Sequence, residues 1–202
     1  MKLKYLTHDK VDPAKISYSP YLCEDMSVKQ SEKKYKKCKK CIKNDPKFGY
    51  IQLNYLNNPQ VVVTTPKMKC LFGIQGNNGN FNMSLQFTNL KEDKDMKAFY
   101  DFIQRVEFEI MKNIGLDVED ADRYISQIKY DKKEIYEPNL SVKVPFNYNK
   151  FQTDIYSNNY SAVNLFQIQN FTDIQCDIYL DKIWRINGKF YAKWKCSTIH
   201  LL

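Results

Sequence analysis

Histidine occurs only twice in the 202 residues, at His8 and His200. A histidine-centred nucleophile and base would have to be recruited from the two ends of the chain. Glycine is also sparse, and the segment GNNGN at 76–80 lacks the Lys and Ser/Thr that complete a phosphate-cradling loop. No helical pattern opens after it, so it reads as a hairpin connection. No nucleophile elbow, zincin motif or marked carboxylate pair is present, and the expectation is a protein that is not an enzyme and carries no cofactor. No apolar run approaches the length of a membrane span. The N-terminus lacks the basic, apolar and small-residue order of a secretory leader. An intracellular protein without a membrane partner is expected. In that setting the six cysteines read as reduced thiols, with Cys176 and Cys196 placed in apolar strand patterns as small core residues.

Arginine is the next scarcity: Arg105, Arg123 and Arg185 are the only three. Lysine supplies the rest of the 31 basic residues, which exceed the 23 acids and give a formal net charge of +8. Such an excess favours a polyanionic partner. Arginine reads guanine bidentately, whereas lysine acts as a point charge on phosphate, so this balance points to backbone neutralisation without base reading. An AT-rich genome would account for the totals of Lys, Asn, Ile and Tyr, though not for their placement.

The chain divides into a polar leader, residues 1–47, and a domain at 48–202. Seven lysines fall between Lys33 and Lys43, a density that repels itself and reads as an exposed arm. Cys38 and Cys41 within it form a CxxC and are weak metal candidates. A structural zinc site needs four ligands, and Cys23, Cys70 and His8 lie at spacings no common zinc motif uses, so two unliganded thiols are expected.

From residue 48 onward short runs of branched and aromatic residues alternate with turn residues. YIQLNYL (50–56), VVVTT (61–65), CLFGI (70–74) and FNMSLQF (81–87) read as strands, as do NLSVKVPF (139–146), AVNLFQI (162–168), DIQCDIYLDKIWRI (173–186) and KFYAKWKCSTIHLL (189–202). Between them, Met96, Phe99, Ile103, Val106, Ile110 and Ile114 recur at three- and four-residue spacing and predict a long amphipathic helix over 95–115, ended by Gly115. A second, shorter helix is expected over 116–130, with Asp117, Glu119, Asp120 and Asp122 as a solvated first turn. The sum is an α+β domain, mainly an antiparallel sheet curled into a barrel.

The stretch IWRINGKFYAKWK at 183–195 alternates rings and cations around an Asn-Gly. That dipeptide suits a type I′ turn, which needs positive φ at both central positions. In this register Ile186 faces Lys189, Trp184 faces Tyr191 and Lys182 faces Lys193, all on one face. Arg185, Phe190, Ile183, Ala192 and Trp194 take the other. Trp184 and Tyr191 are the candidate stacking residues, with Lys182, Lys189, Lys193 and Arg185 on phosphates. A slip of one residue would exchange Trp194 and Phe190 for Trp184. Lys67, Lys69, Tyr50 and Tyr55 would extend the groove. Single-stranded DNA, or RNA, is the expected partner. A virion assembly protein using the same rings as interface anchors is the alternative.

The order PQVVVTTPKM (59–68), FGI (72–74), MSLQF (83–87), a helix, NLSVKVP (139–145) and CDIYLDKIWRINGKFYAKWK (176–195) resembles the single-stranded DNA-binding proteins of nucleocytoplasmic large DNA viruses, over residues 50–200. That family is related to the single-stranded DNA-binding protein of short-tailed coliphages. The resemblance implies an OB-fold core, cooperative coating of single strands during replication in host cytoplasm or nucleus, and self-association and replication proteins as further partners. The sequence departs from the phage pattern by closing on STIHLL without an acidic tail, which leaves tail-based polymerase recruitment unsupported.

Overall fold

The computed structural model describes residues 6–23, 48–56, 58–157 and 164–202. Along the chain the principal elements are β1 (Ile16–Tyr18), β2 (Phe48–Tyr55), β3 (Val61–Thr64), β4 (Met68–Cys70), β5 (Asn80–Gln86), α1 (Lys94–Asn113), β6 (Asn139–Val144), β7 (Thr172–Leu180), β8 (Lys182–Ile186), β9 (Lys189–Tyr191) and β10 (Lys195–Leu201).

Five strand positions close on themselves. β4 pairs antiparallel with β5, β5 with β6, β6 parallel with β10, β10 antiparallel with β7, and β7 returns to β3 and β4. Counting β3 and β4 as one interrupted strand, the ring reads first, second, third, fifth, fourth and back to first. This is the strand order of an OB-fold barrel. The interruption lies at Thr65-Pro66-Lys67, where proline has no N–H for the ladder. Thr65 carries the pairing across: its N–H donates to Cys176 O at 2.8 Å, and its hydroxyl accepts from Cys176 N at 3.0 Å.

Alternation along each strand fills the barrel. Met68 and Cys70, Met83 and Leu85, Leu140, Val142 and Val144, Ile174, Cys176 and Ile178, and Cys196 and Ile199 all point inward and are buried. Cys70, Cys176 and Cys196 are unpaired thiols.

α1 lies across one end of the barrel. Asp93 caps it, its carboxylate accepting from the N–H groups of Asp95 and Met96 at 2.9 and 3.0 Å. The helix ends in a Schellman motif: Leu116 N–H reaches Met111 O and Gly115 N–H reaches Lys112 O, with Gly115 at φ +74°. The predicted stripe is buried from Met96 to Ile110, with Ile114 half-buried at the C-cap, and Phe102 meets Trp194 at 6.4 Å between ring centroids. Phe81, Phe146, Phe151 and Phe166 cluster at the opposite end.

The expected second helix does not form. The segment holds one 3-10 turn, Ala121–Arg123, because its N–H groups are taken elsewhere. Asp117 accepts from Glu119 and Asp120 as a cap would, but further on Ile125 N donates to Phe190 O, and Gln127 N and Ser126 Oγ both donate to the buried Glu107 carboxylate at 2.7 Å. Burial pushes the Glu107 carboxyl up, against the pull of those two bonds. The run AVNLFQI is likewise no strand where it is described: Leu165–Gln167 is a 3-10 turn. Among the described residues no helix is long and apolar enough to cross a membrane.

A second sheet, in the order β9, β8, β2, β1, stands off the barrel. It is joined to it where the run from β7 to β8 breaks at Asp181 and where the run from β9 to β10 breaks at 192–194. The hairpin of β8 and β9 therefore occupies the connection between the fourth and fifth barrel strands. From the leader, Leu6–Thr7 pairs parallel with β3, β1 pairs with β2, and His8 packs on Phe99 at 5.5 Å. Cys38, Cys41 and the Lys33 to Lys43 cluster lie outside the described residues.

Candidate nucleic-acid interface

The hairpin has the register its Asn-Gly implies: Trp184 pairs with Tyr191, Arg185 with Phe190 and Ile186 with Lys189, with Asn187 and Gly188 at φ +50° and +79°. β2 adds a third strand, setting Phe48 beside Ile186, Tyr50 beside Trp184 and Gln52 beside Lys182. One face of this sheet thus carries Phe48, Tyr50, Trp184 and Tyr191. Trp184 touches both neighbours, with centroids 5.5 Å from Phe48 and 5.1 Å from Tyr50.

This face forms one wall of an open pocket of about 340 Å³, lined by Phe48, Trp184, Ile186, Tyr191 and five charged residues: Lys143, Lys182, Lys193, Lys195 and Asp181. The opposite wall is the barrel. Lys143 points outward from β6, paired with Asn82 on β5 and with Lys195 on β10. Lys195 bridges to Asp181 at 2.8 Å. The ammonium of Lys182 sits 4.4 Å over the Tyr50 ring and 5.5 Å over Trp184. Four lysines therefore face one carboxylate. Lys143 registers the crowding: burial first, then the charges of Lys193 and Lys195, hold its ammonium below the ordinary lysine range against the opposing pull of Asp181.

Several residues selected from sequence lie elsewhere. The slipped register is not adopted: Trp194 is 1% exposed under α1 and Phe190 is 8% exposed, so neither ring can meet a ligand. Tyr55 is buried, its hydroxyl accepting from Asp12 N at 3.0 Å. Tyr50 shares the platform face but is buried beneath Trp184 and Lys182, as a support for the indole. Arg185 is on the reverse face, its guanidinium 5.6 Å from the Phe190 ring, where Arg123 also lies at 5.8 Å. Lys67 and Lys69 sit at the far end of β7, bound to the two oxygens of Asp173 at 3.1 and 3.2 Å. Lys189 is exposed beside the turn, on the platform face but outside the pocket.

Sequence reasoning passed over Phe48, Lys143 and Lys195. Strand alternation in NLSVKV does place Lys143 outward. What it cannot give is the barrel closure that sets β6 beside β10. Among the described residues no group of three His, Cys, Asp or Glu is placed to hold a metal ion.

No family model matches the chain, and no curated protein does. In backbone course it is similar to single-stranded DNA-binding proteins of phages. The protein of bacteriophage Enc34 in complex with ssDNA aligns with a TM-score of 0.49 at 9% identity, covering 75% of this chain and 89% of that one. A second structure of the Enc34 single-stranded DNA-binding protein aligns at 0.49 and 10%, covering 74% and 83%. The gp2.5 protein of bacteriophage T7 aligns at 0.43 and 8%, covering 70% and 86%.

Proposed function

We propose that this protein binds single-stranded DNA without sequence preference and coats exposed strands during viral DNA replication, in the manner of the large-DNA-virus family its strand segments resemble. The observation that carries this reading is the pocket between hairpin and barrel, where exposed faces of Trp184, Tyr191 and Phe48 stand among four lysines and one acid. Unpaired bases stack on rings whatever their identity, and ammonium groups neutralise the backbone between them. The place is also the one an OB barrel uses: the face of its second and third strands and the loop joining its fourth and fifth. Asn82, Ser84, Ser141 and Lys143 supply that strand face with amides, hydroxyls and charge.

Every cation in the pocket is a lysine, while Arg123 and Arg185 are committed to Phe190 on the reverse side. A groove without guanidinium has no bidentate reader of guanine, which favours tolerance of sequence. Titration of fluorescein-labelled oligo-dT at several salt concentrations tests the reading. Four phosphate contacts give a slope of about −3 in log K against log salt for a single strand. Oligo-dC of equal length binds within a small factor of oligo-dT. Absence of binding at low salt, or binding indifferent to salt, would overturn the proposal.

A further inference from the structure

The two ends of α1 carry complementary surfaces. Past its C-terminus lies a pocket of about 490 Å³, lined by Phe108, Met111, Leu116, Val118 and Ala121 with Asp117 and Lys112. Phe108 and Val118 are 60% and 92% exposed there, a large apolar surface to leave in water. The charge around it is acidic. Lys112 lies 3.9 Å from Glu109, and Arg123 pairs with Asp120 at 3.1 Å. Among the described residues the carboxylates of Asp117, Glu119 and Asp122 have no cationic partner.

Beside the N-terminal end of α1 stands a projection of opposite character, the loop KKEIY at 132–136. Ile135 and Tyr136 are 67% and 70% exposed, next to the exposed ammonium groups of Lys132 and Lys133, with Glu134 as the loop's one exposed acid. The loop is braced: the Asp131 carboxylate accepts from the N–H groups of Ile135 and Tyr136 at 3.0 and 3.4 Å. Glu137 ties its far end to the start of the helix by accepting from Asn89 and Leu90 N–H at 2.9 and 2.8 Å. Tyr130 hydrogen-bonds Tyr100 on the helix itself at 2.8 Å. α1, about 30 Å long, carries the knob beside its first turns and the pocket at its last ones.

We infer that copies of this chain associate head to tail, with Ile135 and Tyr136 of one copy seated against Phe108 and Val118 of the next and Lys132 and Lys133 facing Glu119 and Asp122. Knob and pocket lie at opposite ends of one rigid helix, so a single copy cannot satisfy both. Such a heterologous contact repeats into an array or ring and does not stop at a two-fold dimer. The contact surfaces are distinct from the lysine pocket, so the inference stands without the DNA reading and is tested without DNA.

Sedimentation velocity over a concentration series is the measurement. The wild-type mean mass should rise with concentration through the sub-millimolar range. Phe108→Ser, at an exposed position, should raise the apparent dissociation constant by roughly thirtyfold with unchanged thermal stability. The charge-reversed knob Lys132→Glu/Lys133→Glu and the charge-reversed pocket Glu119→Lys/Asp122→Lys should each sediment as monomers alone and associate again when mixed. A wild type that stays monomeric throughout would overturn the inference, as would a mixture no heavier than its two components.

Discussion

Two places on the barrel gather lysines, and folding treats them differently. At one end of β7, Lys67 and Lys69 share the carboxylate of Asp173, whose pKa those ammonium groups hold below the ordinary range. At the other end, roughly 25 Å away at strand rise, Lys143, Lys182, Lys193 and Lys195 have Asp181 alone among them. The first cluster is two cations to one anion, each already bonded to a carboxylate oxygen. The second is four to one, arranged around rings. A lysine count along the chain cannot separate them, because both sites follow from which strands the barrel places side by side. What marks a site for a polyanion is the charge left over after folding.

The two tryptophans, ten residues apart, sharpen the comparison most. Trp194→Ala should cost about 3–5 kcal/mol of stability, because it empties a filled position beneath Phe102. Trp184→Ala should leave the denaturation midpoint close to wild type and cost about 1–3 kcal/mol in oligonucleotide binding. Chemical denaturation and fluorescence titration of both variants decide the matter. If Trp184→Ala unfolded the protein and left affinity intact in the folded fraction, the platform would be core and the comparison would fail.

That contrast also shows what the residues alone could disclose. Asn187-Gly188 fixes a two-residue turn, and from it the pairing of Trp184 with Tyr191 and the opposite facing of Trp194 follow by parity. The three- and four-residue spacing from Met96 to Ile110 similarly suffices for α1, since no local competitor captures its backbone. Over 116–130 the helical pattern misleads: the distant Phe190 and Glu107 claim the N–H groups of Ile125 and Gln127, which a helix would use internally. Tyr50 and Tyr55 lie in the expected strand, but Trp184 and Lys182 cover the first and the leader, through Asp12, reaches the second. Lys143 was hidden for the converse reason, since its exposure is local while its partners Lys193 and Lys195 come from fifty residues downstream.

Lys143 is the residue on which the two lysine clusters diverge in charge behaviour. Lys143→Gln should weaken oligo-dT binding by roughly tenfold and flatten the salt slope by about 0.7. Lys69→Gln, taken from the neutralised cluster, should change both little. The pH dependence carries a definite sign. Because folding lowers the Lys143 pKa, the charged form costs stability fully below the folded value, and the cost disappears as pH rises through the unfolded value. A bound phosphate raises the pKa again, so binding takes up a proton between the free and bound values. Affinity should therefore fall with rising pH before ordinary lysines titrate, and Lys143→Gln should abolish that early limb.

The smallest effect is a gain. Asp181 is the pocket's only acid, and one of its oxygens is buried without a hydrogen-bond partner while the other holds Lys195. Asp181→Asn removes the charge at nearly constant volume and releases the Lys195 ammonium toward a phosphate. Oligo-dT affinity should rise by a few tenths to about 1 kcal/mol, two- to fivefold at low salt, with the gain shrinking as salt screens the pocket. The matched change Asp173→Asn releases two lysines rather than one, yet should leave affinity unchanged, because those cations lie roughly 25 Å at strand rise from the platform that Trp184 and Tyr50 form beneath Lys182. Equal gains from both substitutions would mean that net charge governs binding and that the platform contributes nothing to where the strand lies.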